Sequence, residues 1–150
     1  MGFLDSLLGK EKDDAPASKD EPAYTPKVTA IPFKVSMSFS PLRLTANKSN
    51  SVIMLVKITN LTNDTQMVSA DALLPKGRLI GFDPTCINKH IEKKVGDVAP
   101  GETKEVSIPV WGNNQTTPGV CPIGVRVYAH YQTYEKVLSY VKHRTSLRVV

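Results

Sequence analysis

From Val28 onward the large apolar side chains fall at every second position, and that period persists to the C-terminus. In Phe33-Lys34-Val35-Ser36-Met37-Ser38-Phe39-Ser40 the alternation is complete, which predicts a strand with one core-facing side. SVIMLVKITN, rich in β-branched residues, predicts a second strand, ended by the turn-forming run Asn60 to Thr65. TQMVSADALLP continues in the same style and stops at Pro75-Lys76-Gly77, before a less regular stretch around GFDPTC. Behind the turn Ala99-Pro100-Gly101-Glu102, Val106, Ile108 and Val110 alternate again, and Asn113 to Gly119 reads as a loop. PIGVRVYAHY and KVLSYVKHRTSLRVV then predict a long hairpin around Gln132 to Glu135. No helical period occurs beyond residue 10. About seven short strands broken by Pro, Gly and Asn predict an all-β fold, an antiparallel two-sheet sandwich.

The first 26 residues break this pattern. EKDDAPASKDEPAYTP carries almost no large apolar side chain, so burial cannot offset its ordering entropy and a disordered linker is expected. Ahead of it, Phe3, Leu4, Leu7 and Leu8 fall on one side of a helix, with Gly9 as a stop. Such a segment is too short to hold a helix alone and is expected to form one on contact with an apolar surface. The division expected is therefore an amphipathic docking segment and flexible acidic linker over 1–26, and the sandwich over 27–150. The opening lacks the charged n-region and apolar length of a secretory leader. It fits the loose Met-Gly-x-x-x-Ser pattern of myristoylation, whose low specificity leaves contact with a protein groove or a membrane surface as the stronger expectations.

Charge sharpens the division. Residues 1–26 hold six acids and three lysines, whereas the remainder holds sixteen Lys or Arg against eight acids, within a total of +5. A basic body favours acidic partners. Because strand residues alternate in direction, placing Val125, Val127 and Ala129 in the core turns Arg126, Tyr128 and His130 outward. By the same rule Tyr140, Lys142, Arg144 and Arg148 point outward from the last strand. Arg126, Tyr128, Tyr140, Lys142 and Arg144 are thus the candidate partner-binding residues of the body, as Phe3, Leu4, Leu7 and Leu8 are of the tail.

Three stretches carry a family resemblance: VKITNLTND leaving the second strand, VAPGETKEVSIPV, and PGVCPIGVRVYAHY. Residues 28–150 resemble the immunoglobulin-like sandwich modules of the CARDB type and the related alpha-galactosidase-associated modules. The major sperm protein fold has the same general layout. The resemblance implies a binding or spacer module rather than an enzyme. Cys121 stands where such modules usually carry an aromatic, and Trp111 lies on a late strand rather than the third.

The residues offer little catalytic chemistry. His90, His130 and His143 are the only histidines, and no nucleophile elbow, P-loop, dinucleotide fingerprint or His-Glu-x-x-His stretch occurs, so no enzyme is expected. Cys86 and His90 with Cys121 fall short of a closed zinc set, so neither metal nor cofactor is expected. Cys86 and Cys121 can form one disulfide, which a cytosolic chain would keep reduced. Asn47, Asn60, Asn63 and Asn114 begin glycosylation sequons that double as turns. The expected function is a protein-binding or adaptor module in the cytoplasm, membrane-peripheral if residues 1–10 touch lipid. Nucleic-acid binding by the last hairpin and an extracellular adhesion-type module are the alternatives.

Overall fold

The computed structural model describes residues 31–150. The docking segment at Phe3, Leu4, Leu7 and Leu8, the acidic linker and the boundary near residue 26 lie outside the described residues. Pro32–Val150 forms one compact unit of nine strands: β1 Phe33–Ser40, β2 Arg43–Leu44, β3 Asn50–Asn60, β4 Gln66–Leu73, β5 Ile80–Gly81, β6 His90–Val98, β7 Thr103–Gly112, β8 Gly119–Tyr131 and β9 Thr133–Val149. Seven are long, and β2 and β5 have two residues each. One sheet has the order β1-β3-β7-β5, the other β2-β9-β8-β4-β6. All pairings are antiparallel except the short β2–β9 contact. This is an immunoglobulin-like antiparallel sandwich.

The period-two pattern explains the layers. On β3, Val52, Met54, Val56 and Ile58 are buried, and the first three pair with Val110, Ile108 and Val106 of β7. Facing them across the core are Val68, Ala70 and Ala72 of β4 and Cys121, Ile123, Val125, Val127 and Ala129 of β8. The alanines on β4 keep that strand's inner face shallow, while the branched side chains on its neighbours fill the interior. β1, at a sheet edge, buries Phe33 but leaves Val35, Met37 and Phe39 half-buried.

Two features set the ends of the sandwich. Asn60, fully buried, donates to Asp64 O at 2.8 Å and Val98 O at 2.9 Å, and accepts from the Thr62 amide at 2.9 Å and hydroxyl at 2.7 Å. It ties the β3–β4 turn to the end of β6. All its hydrogen-bonding capacity is used inside the fold, so the Asn60 sequon is a turn and not an acceptor of sugar. At the other end, Gly81 lies so close to Cys86 that an added Cβ would sit 2.5 Å from the Cys86 Cα, and Cys86 itself has φ +62°. That close approach accounts for the irregular GFDPTC stretch.

The strand β6 has no counterpart among the segments picked out by alternation. HIEKKVGDV buries only Val98, with Ile91 and Val95 half-covered, because β6 is an edge strand with water on one face and one flank. Asn60→Ala is expected to take this donor from the buried Val98 O and the acceptor from the Thr62 amide, and to cost about 2–3 kcal/mol, the upper range for orphaned buried groups. Urea unfolding of the full chain measures it, with Asn63→Ala, in the same exposed turn, expected to change little.

Candidate binding face on the five-stranded sheet

The outward side of the β2-β9-β8-β4-β6 sheet is built in rows, each row a set of residues directly opposite one another. Lys94, Ser69, Tyr128 and Tyr140 form one; Glu92, Asp71, Arg126 and Lys142 the next; His90, Leu73, Gly124 and Arg144 the third. Residues in a row lie about 5 Å apart at Cβ, so the register alone brings Arg126 beside Lys142 and Tyr128 beside Tyr140. The rings of Tyr128 and Tyr140 are 5.6 Å apart and tilted by 36°. Arg126 Nη1 donates to the Tyr128 hydroxyl at 3.3 Å, and that bond pushes the Arg126 pKa further above its ordinary range. All five predicted body residues therefore share one surface.

Gly124 shapes that surface. It sits at an outward position in the middle of β8, between Leu73 on β4 and Arg144 on β9. A Cβ there would meet nothing within 4 Å. The missing side chain opens a groove of ≈ 350 Å³, floored by Leu73, Leu74, Pro75 and Pro122 and walled by Arg126, Lys142 and Arg144. A glycine inside a strand costs propensity, and one common reason to keep it is close approach by a ligand. Alternation found the three basic residues of this groove. Gly124 and the β4 residues escaped it, since Leu73 and Pro75 read simply as the end of a strand.

His130 keeps the outward position that alternation assigns, on the same side as Tyr128, but is only 5% exposed because the start of β9 packs against it. The β8–β9 register shifts between Ala129 and His130 and again after it, while the pairing of His130 with Met67 of β4 stays in step. Its Nε2 meets Ser69 Oγ at 2.7 Å, and the Tyr134 ring packs edge-on at 5.1 Å. His143 is half-buried and Arg148 exposed, opposite Arg43 of β2. Asp71 and Glu92 add acid to the second row, and Asp71 Oδ2 lies 3.1 Å from His90 Nε2. His90 is thus engaged with a carboxylate rather than with Cys86. Among the described residues no group of three or more His, Cys, Asp or Glu side chains is placed to hold a metal.

The disulfide weighed for Cys86 and Cys121 is not formed; both are free and buried. Cys86 Sγ donates to Trp111 O at 3.4 Å. Burial pushes both thiol pKa values up, against the opposing charge of Lys89 for Cys86 and of Arg78 and Lys89 for Cys121.

No protein-family model and no curated protein matches this sequence. Solved structures do. Escherichia coli alpha-2-macroglobulin, in a structure spanning domain MG7 to the C-terminus, is similar with a TM-score of 0.56 and 19% identity over 81% of this chain. The chain spans only 17% of that structure's length. A FixG-related protein from Vibrio parahaemolyticus matches with a TM-score of 0.50 and 11% identity, over 80% of this chain and 98% of its own. AvmM, which catalyses macrocyclization in alchivemycin A biosynthesis, matches with a TM-score of 0.51 and 8% identity, over 79% and 88%. At such identities the likeness is one of fold.

The thiols give a direct check on the core. Because their folded pKa values are raised, the stability they contribute is complete below the ordinary thiol pKa of about 8.5 and falls as pH climbs above it. Iodoacetamide at pH 8 is expected to leave Cys121 unmodified in the native chain and to alkylate it fully in denaturant, as read by mass spectrometry. Cys121→Ala is expected to flatten the alkaline fall in stability.

Proposed function

We propose that this chain is a non-enzymatic binding module whose outer sheet face receives an acidic segment of another protein. The observation that carries the reading is the convergence of Arg126, Lys142 and Arg144 on an apolar-floored groove that Gly124 leaves open. Carboxylates would meet the three cations, and apolar side chains between them would cover Leu73 and Pro122. Nucleic acid is the weaker reading of the same face. Asp71 and Glu92 share the row of Arg126 and Lys142 and oppose a polyanion, and Tyr128 and Tyr140 pack on each other rather than standing apart to stack bases.

The finer parts of the reading rest on sequence. The CARDB-type resemblance is carried by the three stretches quoted above. Phe3, Leu4, Leu7 and Leu8 would supply a second contact, tethering the module to a partner or to a membrane surface. The module would act in the cytoplasm, where Cys86 and Cys121 stay reduced. An extracellular adhesion role would instead call for oxidised cysteines and sugar-bearing turns, whereas both cysteines are free and the Asn60 side chain is buried.

Fluorescence anisotropy with a glutamate-rich peptide tests the face. Binding at low salt that weakens with added salt is expected, and a single-stranded oligonucleotide of equal charge is expected to bind more weakly. The combined Arg126→Glu, Lys142→Glu and Arg144→Glu variant is expected to lose at least about tenfold in affinity, as removal of several charge contacts does. Gly124→Leu, whose Cβ would meet nothing within 4 Å, is expected to fill the groove and weaken binding while leaving thermal stability unchanged or raised. Tighter binding of the oligonucleotide would transfer the face to the nucleic-acid reading. For the tail, a pull-down comparing the full chain with one lacking residues 1–10 is expected to lose a protein partner or the membrane fraction.

A further inference from the structure

We infer that the long free edge of β9 is a docking site for one added β-strand, supplied by a partner segment in which acidic and apolar residues alternate. The inference rests on the acidic-partner reading and gives that partner a conformation and a position. β8 is paired along both flanks, with β4 and with β9. β9 is not. Its other flank meets β2 only at Arg148 and Val149. Among the described residues no strand pairs with that flank from Thr133 to Leu147, so backbone N–H and C=O groups at alternate residues face outward there.

Edges of this length are ordinarily blunted by proline, bulges or brevity. Two of the sandwich's other edges follow that rule, β5 with two residues and β6 with a register shift against β4 beside Gly96 at φ +91°, whereas β1 is a regular edge of eight residues. β9 runs 17 residues without a proline or glycine; its register shifts against β8 fall before Ser139, and from Ser139 to Val149 its ladder is regular. Near its start Val137, Leu138 and Tyr140 are 52%, 60% and 56% exposed, a patch of apolar surface beside an open ladder.

The side chains along the edge select the occupant. Tyr140, Lys142 and Arg144 point outward from the sheet, and Val141 points inward, half-buried against the core. β1, whose Val35, Met37 and Phe39 are also half-buried, approaches β9 from the opposite sheet. A strand laid along β9 therefore needs carboxylates on its outward side, opposite Lys142 and Arg144, and apolar residues on its inward side, beside Val141. Directly opposed charge pairs on adjacent strands stabilise the pairing, and like pairs oppose it. A second copy of this chain does not meet that condition: the only acid on β9 is Glu135, which lies in the stretch of register shifts before Ser139, so a copy brings no alternating carboxylates to Lys142 and Arg144. Lys142 and Arg144 thus favour an acidic strand over a copy of β9.

The test uses the full chain and three labelled peptides of equal length: alternating Glu and Val, the same residues as a Glu block followed by a Val block, and the alternating peptide N-methylated throughout. The alternating peptide is expected to bind at least about tenfold tighter than either of the others, because only it offers both the side-chain order and the ladder N–H groups. Amide hydrogen exchange is expected to slow along β9 between Thr133 and Leu147 when it binds. Equal binding by all three, or binding without added protection on β9, overturns strand addition and leaves the acidic partner on the groove. Failure of every peptide to bind at low salt overturns both.

Discussion

Each of the thirteen residues of β8 has a partner on β9, and seven of the same residues, Gly124 to His130, are paired with β4 as well. That double pairing is the constraint from which the other features follow. Slipping β8 by one residue would drive Arg126 and Tyr128 into the interior and expel Val125 and Val127, an exchange that the burial of several branched side chains forbids. With the register held, the outward rows are determined. Arg126 must face Lys142 and Tyr128 must face Tyr140, although each pair is separated by more than ten residues of chain. The basic face is a by-product of the core's insistence on its own alternation.

The same constraint explains what could be read from the amino-acid order. Where one side of a strand is buried and the other wet, as along β1, β3, β7 and β8, alternation announces both the strand and its facing. It falls silent on β6, where Lys93, opposite the buried Ala70, stands in place of a core residue that would mark the face. It gives the facing of His130 but not its burial, because the register shifts at the start of β9 bring Tyr134 against the ring. Such shifts leave no signature in a hydropathy pattern. The basic half of the groove was legible since Lys142 and Arg144 lie on a strand with a clear period. The apolar half was not, because it depends on which strand lies beside β8, and Leu73 comes near Gly124 only through sheet order.

Buried polar groups on this face show where the sheet has been shaped for more than stability. Ser69 is fully covered and satisfied by His130, yet His130 Nδ1 and Asp71 Oδ1 are buried without partners. A histidine bonded to a serine invites a catalytic interpretation, but the third group that would orient the ring is missing on the Nδ1 side, and the serine is sealed from solvent. The pair is better understood as an anchor for the covered end of this face: a buried imidazole requires a hydrogen-bonding partner, and Ser69 on the neighbouring strand supplies it. Tyr134, packed against the same ring, then holds the start of β9 against the outer side of the sheet.

A sandwich shared with part of a macroglobulin and with a macrocyclizing enzyme does not by itself assign a function. What distinguishes this chain is how little of its last strand is used by its own fold. A strand kept only for the sandwich could begin near Val141, since Ser139, Tyr140 and most residues before them bury little. The additional length brings Lys136, Val137 and Leu138 to the surface without adding to the core, and it lengthens an edge that selection normally shortens. Length without burial has a conformational cost in every unfolded-to-folded cycle. Contact with another molecule is the compensation that the charge pattern on that edge is suited to supply, with Lys142 and Arg144 attracting an acidic strand that a copy of β9 does not imitate.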